Sequence, residues 1–187
     1  INIFNALDSE VLQQQVEKAR NFDVIIGWSL GGQLATLLVD QISKQYQQQK
    51  TLITLASNPS FVQHEEWHNA MDQPTFQNFK QSFEHDVIAT LRKFGFMVCQ
   101  GTAISKQDFV TLQSLIQPQN LDILKQGLNC LEQLNTVSIL KNYAGHQYHL
   151  FAKQDFLVSY KVIENIQKLN AKYLDAELIS GSHGFPI

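Results

Sequence analysis

Val24-Ile25-Ile26-Gly27-Trp28-Ser29-Leu30-Gly31-Gly32 decides how this chain is read. The apolar run Val24–Ile26 predicts a short buried strand, and the helix formers after Gly32 predict a helix. Between them Gly27–Gly31 fits Gly-x-Ser-x-Gly, in which a strained strand-to-helix turn lifts a serine out of a sheet. Glycines on both flanks are expected to let the backbone crowd through that turn. Free N–H groups at the helix start would face a developing oxyanion. The competing reading is structural: a tight turn whose serine caps the helix that follows Gly32.

The flanking segments alternate between β and α. Asp8 or Ser9 can cap a helix running to about Arg20, with Val11, Leu12 and Val16 on one face. A helix from about Gly32 to Gln45 turns Leu34, Leu37, Leu38 and Ile42 toward the core. After a solvated, Gln-rich connection at Tyr46–Lys50, Thr51–Ala56 predicts a second buried strand, ended by Ser57-Asn58-Pro59. Strand, helix, strand in this order imply a right-handed crossover within a parallel sheet. From about Phe61 to Asn142 helical periodicity replaces the strand signal: Phe76, Phe79, Phe83, Val87 and Leu91, then Phe109, Leu112 and Leu115, then Leu121, Leu124, Leu128 and Leu131. Residues 61–142 are therefore expected to be a helical lid inserted into an α/β core of residues 1–60 and 143–187. That core resumes with a strand at Gln147–Ala152, a helix at Tyr160–Leu169 and a last strand at Ala176–Ile179.

With 187 residues, 44% of them hydrophobic, the chain can bury a sizeable core as one domain. A formal charge of −3 argues against nucleic acid as a partner. Cys99 and Cys130 are too few for a disulfide framework and read as reduced packing residues of a cytoplasmic protein. No apolar stretch is long enough to span a bilayer, so no membrane partner is expected. With the histidines read as lacking His-x-x-x-His spacing, no Cys-x-x-Cys pair and no phosphate-cradling glycine loop beyond the elbow, neither a metal nor a cofactor is expected.

A serine hydroxyl becomes a useful nucleophile only when a base takes its proton. Of the six histidines, His183 is best placed, in Gly181-Ser182-His183-Gly184 just after the last strand. There it stands at the carboxyl edge, where open α/β sheets carry their sites. His64, His68 and His85 fall in the helical insertion and read as exposed. His146 and His149 flank or occupy a strand and read as packing or edge residues. Asp155 follows the strand ending at Ala152, on the same edge, and is the expected partner for the imidazole, although an aspartate there can also be a plain helix cap. Glu65 and Glu66 are rivals that begin the insertion and look solvated. The order Ser29, Asp155, His183 is the chain order of an α/β-hydrolase.

These segments resemble a known family, the carboxylesterases of biotin synthesis that cleave pimeloyl-[acyl-carrier protein] methyl ester (the BioH type). Gly27–Gly32 resembles that family's nucleophile segment, tryptophan included. Leu55-Ala56-Ser57-Asn58-Pro59-Ser60-Phe61 with Glu66-Trp67 is similar to its strand-to-lid passage. Phe76 to Phe94 and Gln100-Gly101-Thr102 are similar to its first lid helices. Phe151–Val158 resembles its acid loop, and Ser182–Ile187 its histidine loop. The resemblance implies a helical-lid α/β-hydrolase in which Ser29 attacks the ester and His183 protonates departing methanol. It implies Leu30 as one oxyanion donor, Trp28 as a wall of the acyl site, and Phe61 and Phe94 as contacts for the acyl chain. It also implies an acidic acyl-carrier protein as partner, met by basic lid residues, here Arg92, Lys93 and Lys106, each of which also fits an ordinary solvated helix face. A monomer is expected.

Two features depart from the family. Ala89 and Val110 stand where basic lid residues are expected. The family also begins with further strands and a glycine-rich turn supplying a second oxyanion donor, and ends with a further helix. The expectation is that this chain is truncated at both ends and poorly active alone. Rival functions are a short-chain carboxylesterase, a lactone or C–C bond hydrolase on the same scaffold, or a non-catalytic binding protein.

Overall fold

The computed structural model describes residues 3–187, in the element order α1 (Ser9–Ala19), β1 (Val24–Trp28), α2 (Leu30–Tyr46), β2 (Thr51–Leu55), α3 (Gln73–His85), α4 (Val87–Cys99), α5 (Ser105–Leu115), α6 (Leu121–Gln133), α7 (Val137–Asn142), β3 (Gln147–Ala152), α8 (Val162–Gln167) and β4 (Leu174–Ile179). The expected α/β alternation with a helical interruption is what the chain forms. Among the described residues the four strands make one sheet in the order β1-β2-β3-β4, every neighbour parallel.

Register fixes which side chains share a face. Ile25 lies beside Leu52, Leu52 beside Gln147, and Gln147 beside Leu174; two residues on, Gly27, Thr54, His149 and Ala176 align in the same way. This face is buried beneath α1, α2 and α8, where Val16, Leu34, Leu38, Ile42, Val162 and Ile166 pack with Ile25, Leu52 and Phe151. Each such fully buried aliphatic side chain stabilises the fold by roughly 2 kcal/mol. The opposite face is more open: Val24, Ile26 and Tyr148 are exposed on it. Strand β4 closes one edge with Asp175 and Glu177 turned to solvent, and charge on an edge discourages further strand pairing.

Local capping explains where the inserted helices start. Asp72 accepts from the Thr75 N–H (2.8 Å), Asp86 from Ala89 (2.9 Å) and Asn120 from Asp122 (2.8 Å). Helix α1 begins the same way, with Asp8 accepting from Glu10 and Val11 (2.9 and 3.2 Å). Helices α3, α4 and α6 share a small core of Val62, Phe76, Phe83 and Leu128. A third cluster, Val98, Cys99 and Leu112, packs against Trp28 and Leu157 and joins this layer to the end of β1. Helix α7 packs on α2, so Leu140 and Tyr143 belong to the main core. Cys99 and Cys130 are free, buried thiols whose pKa burial pushes up. Among the described residues no helix is long and apolar enough to cross a membrane.

Candidate active site

Ser29 stands where β1 turns into α2, at φ 55° and ψ −125°. For a residue with a Cβ this is sparsely populated backbone, with a strain of roughly 1–3 kcal/mol. The turn is held by Ser29 N–H donating to Leu55 O (2.9 Å) and Gly32 N–H donating to Ser29 O (2.9 Å). The Ser29 side chain makes no cap hydrogen bond to α2, which removes the capping reading of this serine. One part of the motif reading needs correction. Gly27 is required, since a Cβ there would lie 2.0 Å from Gly31 O, but a Cβ on Gly31 would meet nothing within 4 Å among the described residues. The second tight position is Gly32, whose Cβ would fall 2.3 Å from Ser57 Oγ. Helix α2 packs there on the end of β2.

The carboxyl edge brings three distant side chains together. His183 Nε2 lies 2.9 Å from Ser29 Oγ, and His183 Nδ1 lies 2.8 Å from Asp155 Oδ2. The side chains of His183 and Asp155 are each 1% exposed. A carboxylate so desolvated needs several donors. Asp155 has them: besides the imidazole, the N–H groups of Leu157 and Val158 donate to Oδ1, each at 2.8 Å. With Nδ1–H given to Asp155, Nε2 is left as an acceptor facing the serine hydroxyl. Leu30 is buried, and among the described residues nothing accepts its N–H, the first of α2.

Trp28 does more than line a wall. Its indole N–H donates to the backbone carbonyl of His183 (2.9 Å), and its ring lies 5.8 Å from the imidazole. Beside Ser29 opens a cavity of about 760 Å³ that also borders the edge of β1 at Val24 and Ile26. Trp28, Leu30, Phe61 and Phe94 all border it. Apart from Ser29, His183 and the Trp28 indole, the side chains that line it are apolar. Sequence reasoning missed Phe79, which lines the cavity and packs on Phe94 with ring centres 5.8 Å apart. Its helical spacing marked it only as core. Arg92, Lys93 and Lys106 are exposed on α4 and α5, outside the cavity lining.

The other histidines stand apart from the site. His149 is buried in β3, with Nδ1 2.7 Å from Thr54 Oγ1 and Nε2 without a partner among the described residues, and burial pushes its pKa down to about 4. His146 is exposed and stacks near Tyr148 and Tyr173. His68 and His85 are exposed, as expected, whereas His64 is half-buried. One spacing escaped the sequence reading: His64-Glu65-Glu66-Trp67-His68 carries the His-Glu-x-x-His pattern that holds zinc when it lies on a helix. Here the segment is a turn closed by reciprocal backbone hydrogen bonds between His64 and Trp67. The Asn135 amide donates to His64 Nε2 (2.8 Å). Among the described residues no three His, Cys, Asp or Glu side chains group closely enough to hold a metal.

A family model described as "Uncharacterised protein family (UPF0227)" matches residues 3–120. The chain is 29% identical over 170 residues to "Biotin biosynthesis bifunctional protein BioHC" of Teredinibacter turnerae, covering 85% of this chain and 29% of that protein. It is 28% identical over 167 residues to "Pimeloyl-[acyl-carrier protein] methyl ester esterase" of Vibrio vulnificus, covering 86% of this chain and 62% of that one. The chain thus spans less than two thirds of the length of these relatives. Among solved structures, an esterase from Exiguobacterium antarcticum superposes with a TM-score of 0.73 at 15% identity, covering 93% of this chain and 65% of that chain. A bromoperoxidase from Bacillus anthracis gives 0.72 at 15%, with the same coverage of both chains. The fold is that of an α/β-hydrolase, as the sequence resemblance implied.

Proposed function

We propose, starting from a chain that belongs to the uncharacterised protein family UPF0227, that it carries the catalytic centre of a serine carboxylesterase. Its substrate in this reading is the methyl ester of a pimeloyl group borne on acyl-carrier protein, and its place is biotin synthesis in the cytoplasm. The observation that carries the reading is the hydrogen-bonded run Asp155–His183–Ser29 beside an apolar cavity. The substrate comes from the names of the relatives at 28–29% identity.

Ser29 Oγ attacks the ester carbonyl carbon while His183 Nε2 takes the hydroxyl proton, and Asp155 stabilises the imidazolium that forms. The carbonyl oxygen, now an oxyanion, accepts the free N–H of Leu30. Collapse of this intermediate breaks the bond to the methoxy oxygen, which leaves as methanol with the proton from His183. Water, deprotonated by His183, then attacks the acyl-enzyme; the bond to Ser29 Oγ breaks, His183 returns the proton to that oxygen, and the free acid leaves as its carboxylate. The end of the cavity at Ser29 and His183 is bordered by apolar and aromatic side chains, as small-molecule sites usually are. Its lining suits a methylene chain ending in an uncharged ester: Trp28 and Phe61 wall it, and Phe94 reaches it from α4. Residues 61–142 act as the lid over the site, and Arg92, Lys93 and Lys106 face the acidic carrier.

The test is hydrolysis of methyl pimeloyl-carrier protein by the whole protein, set against p-nitrophenyl butyrate and fluorophosphonate labelling. The carrier-bound ester is expected to be turned over with the higher kcat/KM, and Ser29→Ala is expected to abolish both turnover and labelling. Equal kcat/KM on the two esters would remove carrier specificity and leave a general esterase. Labelling that persists in Ser29→Ala would remove the catalytic assignment.

A further inference from the structure

We propose that Gln154 is a positioning residue for the His183–Asp155 pair, holding the acid loop and the histidine loop in register. The inference rests on the esterase reading above and adds to it a residue that neither the nucleophile motif nor the triad requires.

Gln154 immediately precedes Asp155, and Gly181 stands two residues before His183. The two are joined twice. Gln154 N–H donates to Gly181 O at 3.0 Å, and the Gln154 side-chain Oε1 accepts from Gly181 N–H at 2.8 Å. Gly181 sits at φ 145°, a conformation that an L side chain rarely adopts, so its backbone is free to make this reciprocal pair. The loops so joined carry the two ends of the 2.8 Å contact between Asp155 Oδ2 and His183 Nδ1.

Two further ties close the arrangement around the imidazole. The Trp28 indole holds the carbonyl of His183, and Gly184 N–H donates to Val98 O (2.8 Å) at the end of α4. From the same end of α4, Gly101 presses onto Gln154: at φ 117° it lies so close that a Cβ would fall 2.4 Å from Gln154 O. Gln154 is therefore held between the helical insertion and the histidine loop. Of its own groups, the side-chain oxygen alone can be removed without disturbing the backbone. Outer residues that orient a catalytic pair typically matter by roughly 10- to 100-fold, because small displacements of reacting groups are costly.

The experiment compares Gln154→Met, which keeps the length but removes the acceptor, with Gln154→Glu, which keeps an acceptor for Gly181 N–H. The readouts are the rate of fluorophosphonate labelling at Ser29, kcat and KM on p-nitrophenyl butyrate, and the pH profile of kcat/KM. Gln154→Met is expected to lose roughly 10- to 100-fold in kcat and labelling rate with KM unchanged. Its acidic limb should move to lower pH, because a displaced Asp155 stabilises the imidazolium less. Gln154→Glu is expected to recover most of the rate, with the limb at or above its wild-type position. If Gln154→Met fails to fold, Gln154→Ala carries the same expectation without added bulk. Unchanged labelling and pH profile in the Met variant, or equal losses in Met and Glu, would overturn the proposal while leaving the esterase reading intact. A wild-type protein that resists labelling would overturn both.

Discussion

Gly31 and Gly32 are adjacent and chemically identical, yet the structure assigns them different work. A methyl group on Gly31 enters open space, whereas one on Gly32 strikes Ser57. Gly31→Ala is therefore expected to leave stability unchanged or raise it by up to about 1 kcal/mol through helix propensity. Gly32→Ala is expected to cost about 3 kcal/mol or more by overpacking, and to disturb Ser29 as α2 shifts away from β2. Denaturant midpoints and labelling rates of the two variants check this, and equal destabilisation would refute it. Sequence could locate the serine because strand, turn and helix are local signals that converge on one residue. It could not say which glycine the turn needs, because the obstacle is Ser57, supplied by the loop after a different strand. Gln154 was hidden for the same reason: its partner Gly181 lies 27 residues away and the bond goes to a main-chain group, which leaves no side-chain pattern to read.

Strand β3 shows what holds between elements. His149 aligns with Thr54 of β2 in parallel register and bonds it, but among the described residues its second nitrogen has no partner. Its folded pKa of about 4 lies below the 6.5 of an unperturbed imidazole. Between those values the unfolded chain binds a proton that the folded chain refuses, so stability falls as pH drops from about 6.5 toward 4. The accumulated loss is about 3 kcal/mol. Urea unfolding of wild type and His149→Gln between pH 7 and 4.5 tests the sign: the variant should lose less stability over that window, and parallel losses would refute the assignment. Strands β1 and β2 were legible as apolar runs, and β3 started and stopped where expected. Strand β4 begins two residues earlier than its apolar pattern suggested, at Leu174, because Gln147 N–H takes Tyr173 O and draws the chain into the ladder. Helix α2 begins at Leu30 rather than Gly32, since the strained turn is confined to Ser29 alone. Periodicity found the helices of the insertion, yet it could not separate Phe79, which borders the cavity, from Phe76, which also holds the insertion's own core.

At the scale of the molecule the question is how a chain of net charge −3 would receive an acidic carrier. Its long-range field does not attract such a partner, so docking would have to rely on a local patch. Helix α4 turns Ile88, Arg92 and Phe96 outward at successive i, i+4 positions, and α5 exposes Lys106 and Val110 with the same spacing. Phe96 meets Phe109 edge-on at 5.7 Å, which ties the two helices together. Ala89 and Val110 are exposed where the resembled family implied more basic residues, so the patch mixes few cations with apolar side chains. A surface of this kind would bind through contact area as well as charge. Reversal of Arg92 or Lys106 to Glu is accordingly expected to raise KM for the carrier-bound ester by roughly fivefold each, the scale of an exposed ion pair lost and a repulsion gained. The effect should shrink in 0.5 M salt, and kcat should not move. Val110→Lys is expected to lower KM on the same substrate, since it places a cation beside the apolar contact. None of these variants should alter turnover of p-nitrophenyl butyrate, which would need the cavity and not the outer face of α4 and α5. Unchanged KM for the carrier-bound ester in all three would move the docking surface off α4 and α5, while a parallel change on the small ester would trace the effect to the cavity instead.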